Sequence, residues 1–103
     1  MSDKTLEKII QKILEVIIPD KIILFGSRVK GTAREDSDYD LLVIKSNIEN
    51  KRELNKKLYR NMLGTNASVD IILESPEVIE EYKDAVGFIY KFALNEGKVV
   101  YAK

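Results

Sequence analysis

The stretch FGSRVKGTAREDSDYDLLV, residues 25–43, reads as the end of one strand, a polar connection and the start of the next. An apolar run from Ile22 to Phe25 leads into Gly26 and Ser27, and a second, Leu41 to Ile44, leaves from Asp40. Side chains alternate faces along a strand, which places Asp38 and Asp40 on one face and Tyr39 on the other. Adjacent carboxylates repel, and a hard divalent cation that prefers oxygen removes that cost. Mg²⁺ suits the pair because it keeps most of its waters and is completed by substrate phosphates. Gly26 lets backbone approach a phosphate closely, and Ser27 with the N–H groups of the following turn can hold its oxygens. The simplest ligand for the stretch is a nucleoside triphosphate bridged by metal to the Asp pair.

Two other phosphate or cation motifs almost fit and fail on particular residues. Gly26 to Thr32 approaches a P-loop, which needs Lys and then Ser or Thr where Thr32 and Ala33 stand. Asp36, Asp38 and Asp40 have the opening spacing of an EF-hand loop, but Leu41 and Asn47 occupy its obligatory Gly and Glu positions.

The rest of the chain reads as scaffold for a small α/β domain, a short mixed sheet backed by helices with the site at one end. Residues 3–18 carry Leu6, Ile9, Ile10, Ile13, Leu14 and Ile17 at helical spacing, with Ser2 or Asp3 as cap and Pro19 as stop. A first strand is expected over Lys21 to Phe25, then a short helical turn from Ser27 that Gly31 ends. Arg28, Lys30 and Arg34 are the cations nearest the site and are placed to stabilise charge on the triphosphate or the leaving pyrophosphate, with Arg28, directly after the Gly-Ser pair, first among them as a nucleotide-binding residue; Glu35 and Asp36 read as loop solvation. A second helix over 50–63 turns Leu54, Leu58, Met62 and Leu63 inward, with Lys51, Arg52, Lys56, Lys57 and Arg60 on an outer face that reads as solvated surface ahead of an electrostatic handle for an acidic partner or RNA. Val69 to Leu73 is the third strand. Ser75-Pro76 opens one or two further helices, bent near Asp84 to Gly87 and ended by Gly97, before a final strand from Lys98 to Ala102. Ile89, Phe92 and Ala93 have core spacing, although so small a domain cannot bury all of Tyr82, Phe88, Tyr90, Phe92 and Tyr101, and some are expected to meet a partner protein.

Composition narrows the function classes. A length of 103 residues predicts one domain over 1–103. Seventeen basic residues balance 17 acidic ones, which argues against bulk binding to nucleic acid. Without cysteine or histidine, thiol chemistry, the usual zinc ligands and the usual general base are all excluded. No apolar run approaches a membrane span and the N-terminus lacks a signal pattern, so a cytoplasmic, soluble protein is expected.

A strand ending in Gly26-Ser27, about ten residues, then Asp38-x-Asp40 opening the next strand resembles the signature of the DNA polymerase beta-like nucleotidyltransferases. The likeness is closest to the minimal nucleotidyltransferases, which consist of the catalytic core alone. It implies a third carboxylate on a later strand, for which Asp70 in VDIIL is placed; a charge in that apolar run costs roughly 3 kcal/mol or more unless paired, solvated at a cleft or bound to metal. The resemblance implies transfer of AMP from ATP to a hydroxyl, with Asp38 and Asp40 sharing two Mg²⁺ ions and Asp70 holding the catalytic ion and taking the acceptor's proton. Ser27 with neighbouring N–H groups anchors the outer phosphates. It further implies an antitoxin that adenylylates a tyrosine of a HEPN-type RNase toxin. An antitoxin that blocks its toxin by contact alone and a transferase acting on a small hydroxyl-bearing molecule are the alternatives.

Overall fold

Four strands order as β3-β2-β1-β4 in a single mixed sheet. The computed structural model describes residues 3–34 and 37–103, so the expectations for Ser2, Glu35 and Asp36 lie outside the described residues. In chain order the elements are α1 (Lys4–Leu14), β1 (Lys21–Phe25), α2 (Ser27–Lys30), β2 (Tyr39–Ile44), α3 (Lys51–Asn61), β3 (Val69–Glu74), α4 (Pro76–Tyr82), α5 (Ile89–Glu96) and β4 (Lys98–Ala102). Strand β1 runs antiparallel to both β2 and β4, and β2 runs parallel to β3. The end of β1 and the starts of β2, β3 and β4 therefore share one rim of the sheet.

Central strands buried on both faces read as continuous apolar runs, and Leu41, Leu42 and Val43 of β2 are fully buried. On one face Ile9 and Ile13 of α1, Leu58 of α3 and Met62 just past its end pack against Ile22, Leu24, Tyr39, Leu41, Val43, Ile71 and Leu73. On the other, Ile79 of α4 and Ala93 of α5 cover Ile23, Phe25, Leu42 and Ile44. Asn61 Nδ2 donates to the Lys12 carbonyl at 2.7 Å and ties α3 to α1.

Three expectations need correction. Helix α1 stops at Leu14, four residues early: Val16, Ile17 and Ile18 are β-branched, and a residue before proline is steered away from the helical region. Leu63 lies beyond the end of α3 and is 78% exposed, so it is no part of the inward stripe. In α5 it is Tyr90, Ala93 and Leu94 that meet the sheet, while Ile89 and Phe92 are 44% and 41% exposed. Just beyond α5, extended Gly97 passes close to β1: a Cβ there would overlap the Ala93 carbonyl and the Ile23 side chain.

At the end of β3 away from the rim, buried Glu74 accepts from Lys51 Nζ and, at 3.0 Å, from the Tyr90 hydroxyl. Burial pushes the Glu74 carboxyl upward, but Lys51, Tyr90 and the Ser75 N–H outweigh it and hold the group below its ordinary 4.5. Burial, and then the Glu74 charge, push the Tyr90 phenol up to about 12. A raised folded value stabilises below the unfolded value near 10 and is lost as pH rises through the folded one, so alkaline destabilisation is expected between about pH 10 and 12. Tyr90→Phe should remove that alkaline step and cost about 1.5 kcal/mol at neutral pH, read by urea unfolding across the pH range.

Candidate active site

Chain direction and register bring the acids to the rim. Asp40 pairs with Phe25 across β1 and with Asp70 across β3, so the two carboxylates start neighbouring parallel strands at the same level. Asp38 lies in the exposed turn just before β2. Asp40 is half-buried; burial pushes its carboxyl above the ordinary aspartate value, and the negative charges of Asp70 and Asp38 push it further the same way. Among the described residues no Lys or Arg forms an ion pair with Asp38, Asp40 or Asp70.

Gly26 sits directly under this cluster. Its φ of 82° and ψ of −155° belong to a region that only glycine occupies readily, and a Cβ there would overlap Asp40 Oδ2 and lie 3.2 Å from its Cγ. The missing side chain makes room for the carboxylate. The chain then turns into α2 at Ser27: the Val29 and Lys30 N–H groups both donate to the Gly26 carbonyl, and Gly31 closes the turn in the left-handed conformation. Ser27 stands in its first turn, one residue from Gly26.

The three nearby cations are differently placed. Arg28 stacks 4.2 Å over the Tyr39 ring and donates from Nη2 to the Ser37 carbonyl at 2.8 Å. That is the Tyr39 side of β2, and Asp40 alternates to the other. Arg28 thus supports the turn carrying Asp38 from behind. Lys30 lies over the Phe92 ring, 3.7 Å from Glu96 Oε2, and Arg34 offers its backbone N–H to Ser37 Oγ at 2.7 Å.

Two supports carry no sequence signal. The Tyr39 hydroxyl donates at 2.9 Å to Asp3 Oδ2, whose Oδ1 caps α1 through the Leu6 N–H, so the first residue of β2 is pinned to the start of α1. The Tyr59 hydroxyl of α3 lies 3.2 Å from Asp70 Oδ1. Both contacts join segments far apart in sequence, and the Asp38-x-Asp40 motif around Tyr39 gives no sign of its partner.

Whether these residues suit magnesium turns on their donor set. Among the described residues no group of three acidic side chains is gathered into a ready metal cage. Mg²⁺ does not need one, since one or two carboxylates with substrate phosphates and waters complete its shell. Asp40, raised by burial and then by its acidic neighbours, and without a basic partner among the described residues, has the electrostatics of a cation ligand. The donor set fits a metal that arrives with a nucleotide.

Against known proteins, the family profile described as "Polymerase beta, Nucleotidyltransferase" matches residues 5–103. A protein of Methanocaldococcus jannaschii named "putative protein adenylyltransferase" is 38% identical over 93 residues, 90% of this chain; the chain spans 47% of that relative's length. Among solved structures, a "putative nucleotidyltransferase" of Sulfolobus solfataricus superposes with a TM-score of 0.64 at 21% identity, over 97% of this chain and 79% of that one. A toxin–antitoxin structure with AMP-PNP gives 0.63 at 24%, over 94% and 73%. A mutant of the toxin–antitoxin MntA-HpeT gives 0.62 at 22%, again over 94% and 73%. At these identities the structural likenesses show the fold.

Proposed function

Because the chain belongs to the polymerase beta nucleotidyltransferase family, we propose that it transfers AMP from ATP to a tyrosine hydroxyl of a partner protein, a HEPN-type RNase toxin that it neutralises in the cytoplasm. The observation that carries this reading is the Asp40–Asp70 pairing at the sheet rim, with Asp38 two residues before it and Gly26 beneath. The name of the Methanocaldococcus jannaschii relative supports adenylyl transfer to protein, and the toxin–antitoxin neighbours, one of them with AMP-PNP, support a toxin as acceptor.

In this mechanism Asp38 and Asp40 would hold two Mg²⁺ ions, with Asp70 as a further ligand of the catalytic one. Such ions would supply a lowered acceptor pKa and neutralisation of phosphate charge. The bare backbone at Gly26 admits the triphosphate, and Ser27 with the N–H groups of its turn holds the outer phosphates. Asp70 takes the proton of the acceptor hydroxyl as its oxygen bonds to the α-phosphorus; the α-phosphorus bond to the bridging oxygen breaks and pyrophosphate leaves. Arg28 fixes the Asp38 turn through the Ser37 carbonyl.

One surface favours a protein acceptor. Val86, Phe88, Ile89 and Phe92 stand exposed along the α4–α5 connection and α5, Val86 at 91%. The same strip would serve an antitoxin acting by contact alone. Incubation with ATP, Mg²⁺ and the product of an adjoining helical-protein gene should add an adenylate mass to that partner. No added mass with any nucleotide, while an Asp38→Asn/Asp40→Asn/Asp70→Asn variant still neutralises the toxin, would favour the contact reading instead.

A further inference from the structure

Strand β3 is an edge of the sheet, and Ile71 has no partner strand on its open side. One side-chain atom occupies that side. The Ile71 N–H donates to the Tyr59 hydroxyl at 2.8 Å, and the same hydroxyl lies 3.3 Å from the Ile71 carbonyl and 3.2 Å from Asp70 Oδ1. Tyr59 is carried on α3, whose position is fixed by buried Leu58 and Met62 on one side and by the Asn61 bond to α1 on the other. The hydroxyl oxygen is therefore anchored by the short bond from Ile71. Its single hydrogen has two acceptors, both at the long end of the range for O–H···O bonds.

We propose that Tyr59 is a positioning residue for Asp70: anchored on the edge strand, its hydroxyl holds Asp70 Oδ1 and so fixes the carboxylate for its role at the rim. The proposal rests on the nucleotide-transfer reading above. Asp70 is exposed at a strand start, where a carboxylate without support turns through several rotamers. An ionised carboxylate outcompetes a neutral carbonyl for the hydrogen. Burial and the Asp70 charge both make the Tyr59 phenol harder to ionise, which keeps it a donor. Long catalytic hydrogen bonds in the ligand-free state commonly tighten in the loaded complex.

The test is Tyr59→Phe in the full chain, which removes the hydroxyl from a partly exposed ring and should fold normally by thermal melting. Nucleotide transfer to the partner is expected to fall about 10-fold or more in kcat, as for lost supporting partners of metal ligands. KM for ATP should stay within about two-fold, because the phosphates are held at Gly26 and Ser27. Carboxyl-carbon NMR relaxation should show the Asp70 side chain loosened, and amide exchange at Ile71 should quicken. Faster exchange at Ile71 with unchanged kcat, or an Asp70 side chain equally ordered in both proteins, would reduce Tyr59 to a cap on the sheet edge and overturn the proposal. If the wild-type protein transfers no nucleotide to any acceptor, the functional reading falls, and the Asp70 relaxation comparison still decides for or against Tyr59.

Discussion

Asp40→Asn is expected to abolish nucleotide transfer and, in the same protein, to raise the melting temperature of the ligand-free state. The loss of activity follows from removing a carboxylate proposed to hold the cation, and should exceed the roughly 100-fold typical of losing even a supporting partner of a metal ligand. The gain in stability follows from electrostatics already visible in the fold. Burial, with Asp70 and Asp38 beside it, raises the folded value of the Asp40 carboxyl above the ordinary 3.8. A raised acid favours the folded state fully only below its unfolded value, and that contribution is lost as pH rises through the folded value. At neutral pH the ionised Asp40 is therefore a cost, which an uncharged side chain of the same shape removes. A gain of roughly 0.5–2 kcal/mol is expected, shrinking as pH falls toward and below about 4, where the wild-type group is protonated as well. Thermal melts of both proteins at several pH values, beside transfer assays, check both halves. Equal melting temperatures at neutral pH would mean that the acids do not repel one another as the rim geometry implies.

Gly26→Ala should lose activity too, with the opposite effect on stability. An alanine there must adopt φ near 82° and ψ near −155°, a conformation costing about 1–3 kcal/mol for a residue with a side chain. Its Cβ would also displace the Asp40 carboxylate, and a misplacement on the order of 1 Å can cost about 100-fold in rate. Gly31 separates the two effects. It also has positive φ, but a Cβ there meets nothing within 4 Å. Gly31→Ala should lose about 1–2 kcal/mol through the backbone alone and keep most of the transfer activity. Chemical denaturation and transfer rates of the two variants side by side measure the difference. If both lose activity equally, crowding of Asp40 is not what Gly26 prevents.

The elements that local chemistry dictates were legible in the sequence. Strands β1 and β4, the α2 turn and its closing Gly31, and the Ser75-Pro76 start of α4 are where their residues place them, since each depends on apolar runs, caps or glycines within a few positions. The acid pair was legible for the same reason: Asp38 and Asp40 are local to one loop, and the Gly26-Ser27 turn precedes them. Tertiary packing decided the rest. Periodicity marks Ile89, Phe92 and Ala93 as one face, yet in the packed structure Tyr90, Ala93 and Leu94 are the residues that meet the sheet. Arg28 follows the Gly-Ser pair directly, but Tyr39 offers its guanidinium a ring on the far side of β2. Tyr59 could not be read at all, because its meeting with Asp70 exists only once α3 and β3 pack together.

Titration of the protein with AMP-PNP in the presence of Mg²⁺, followed by amide NMR, tests the rim site most directly. Saturable binding is expected, with the largest shifts at Gly26, Ser27, Asp38, Asp40 and Asp70, and with the response lost in Asp38→Asn/Asp40→Asn. Absence of binding at millimolar nucleotide, or shifts centred on the Lys51–Glu74 end of the sheet, would contradict the assignment of these residues to nucleotide and metal.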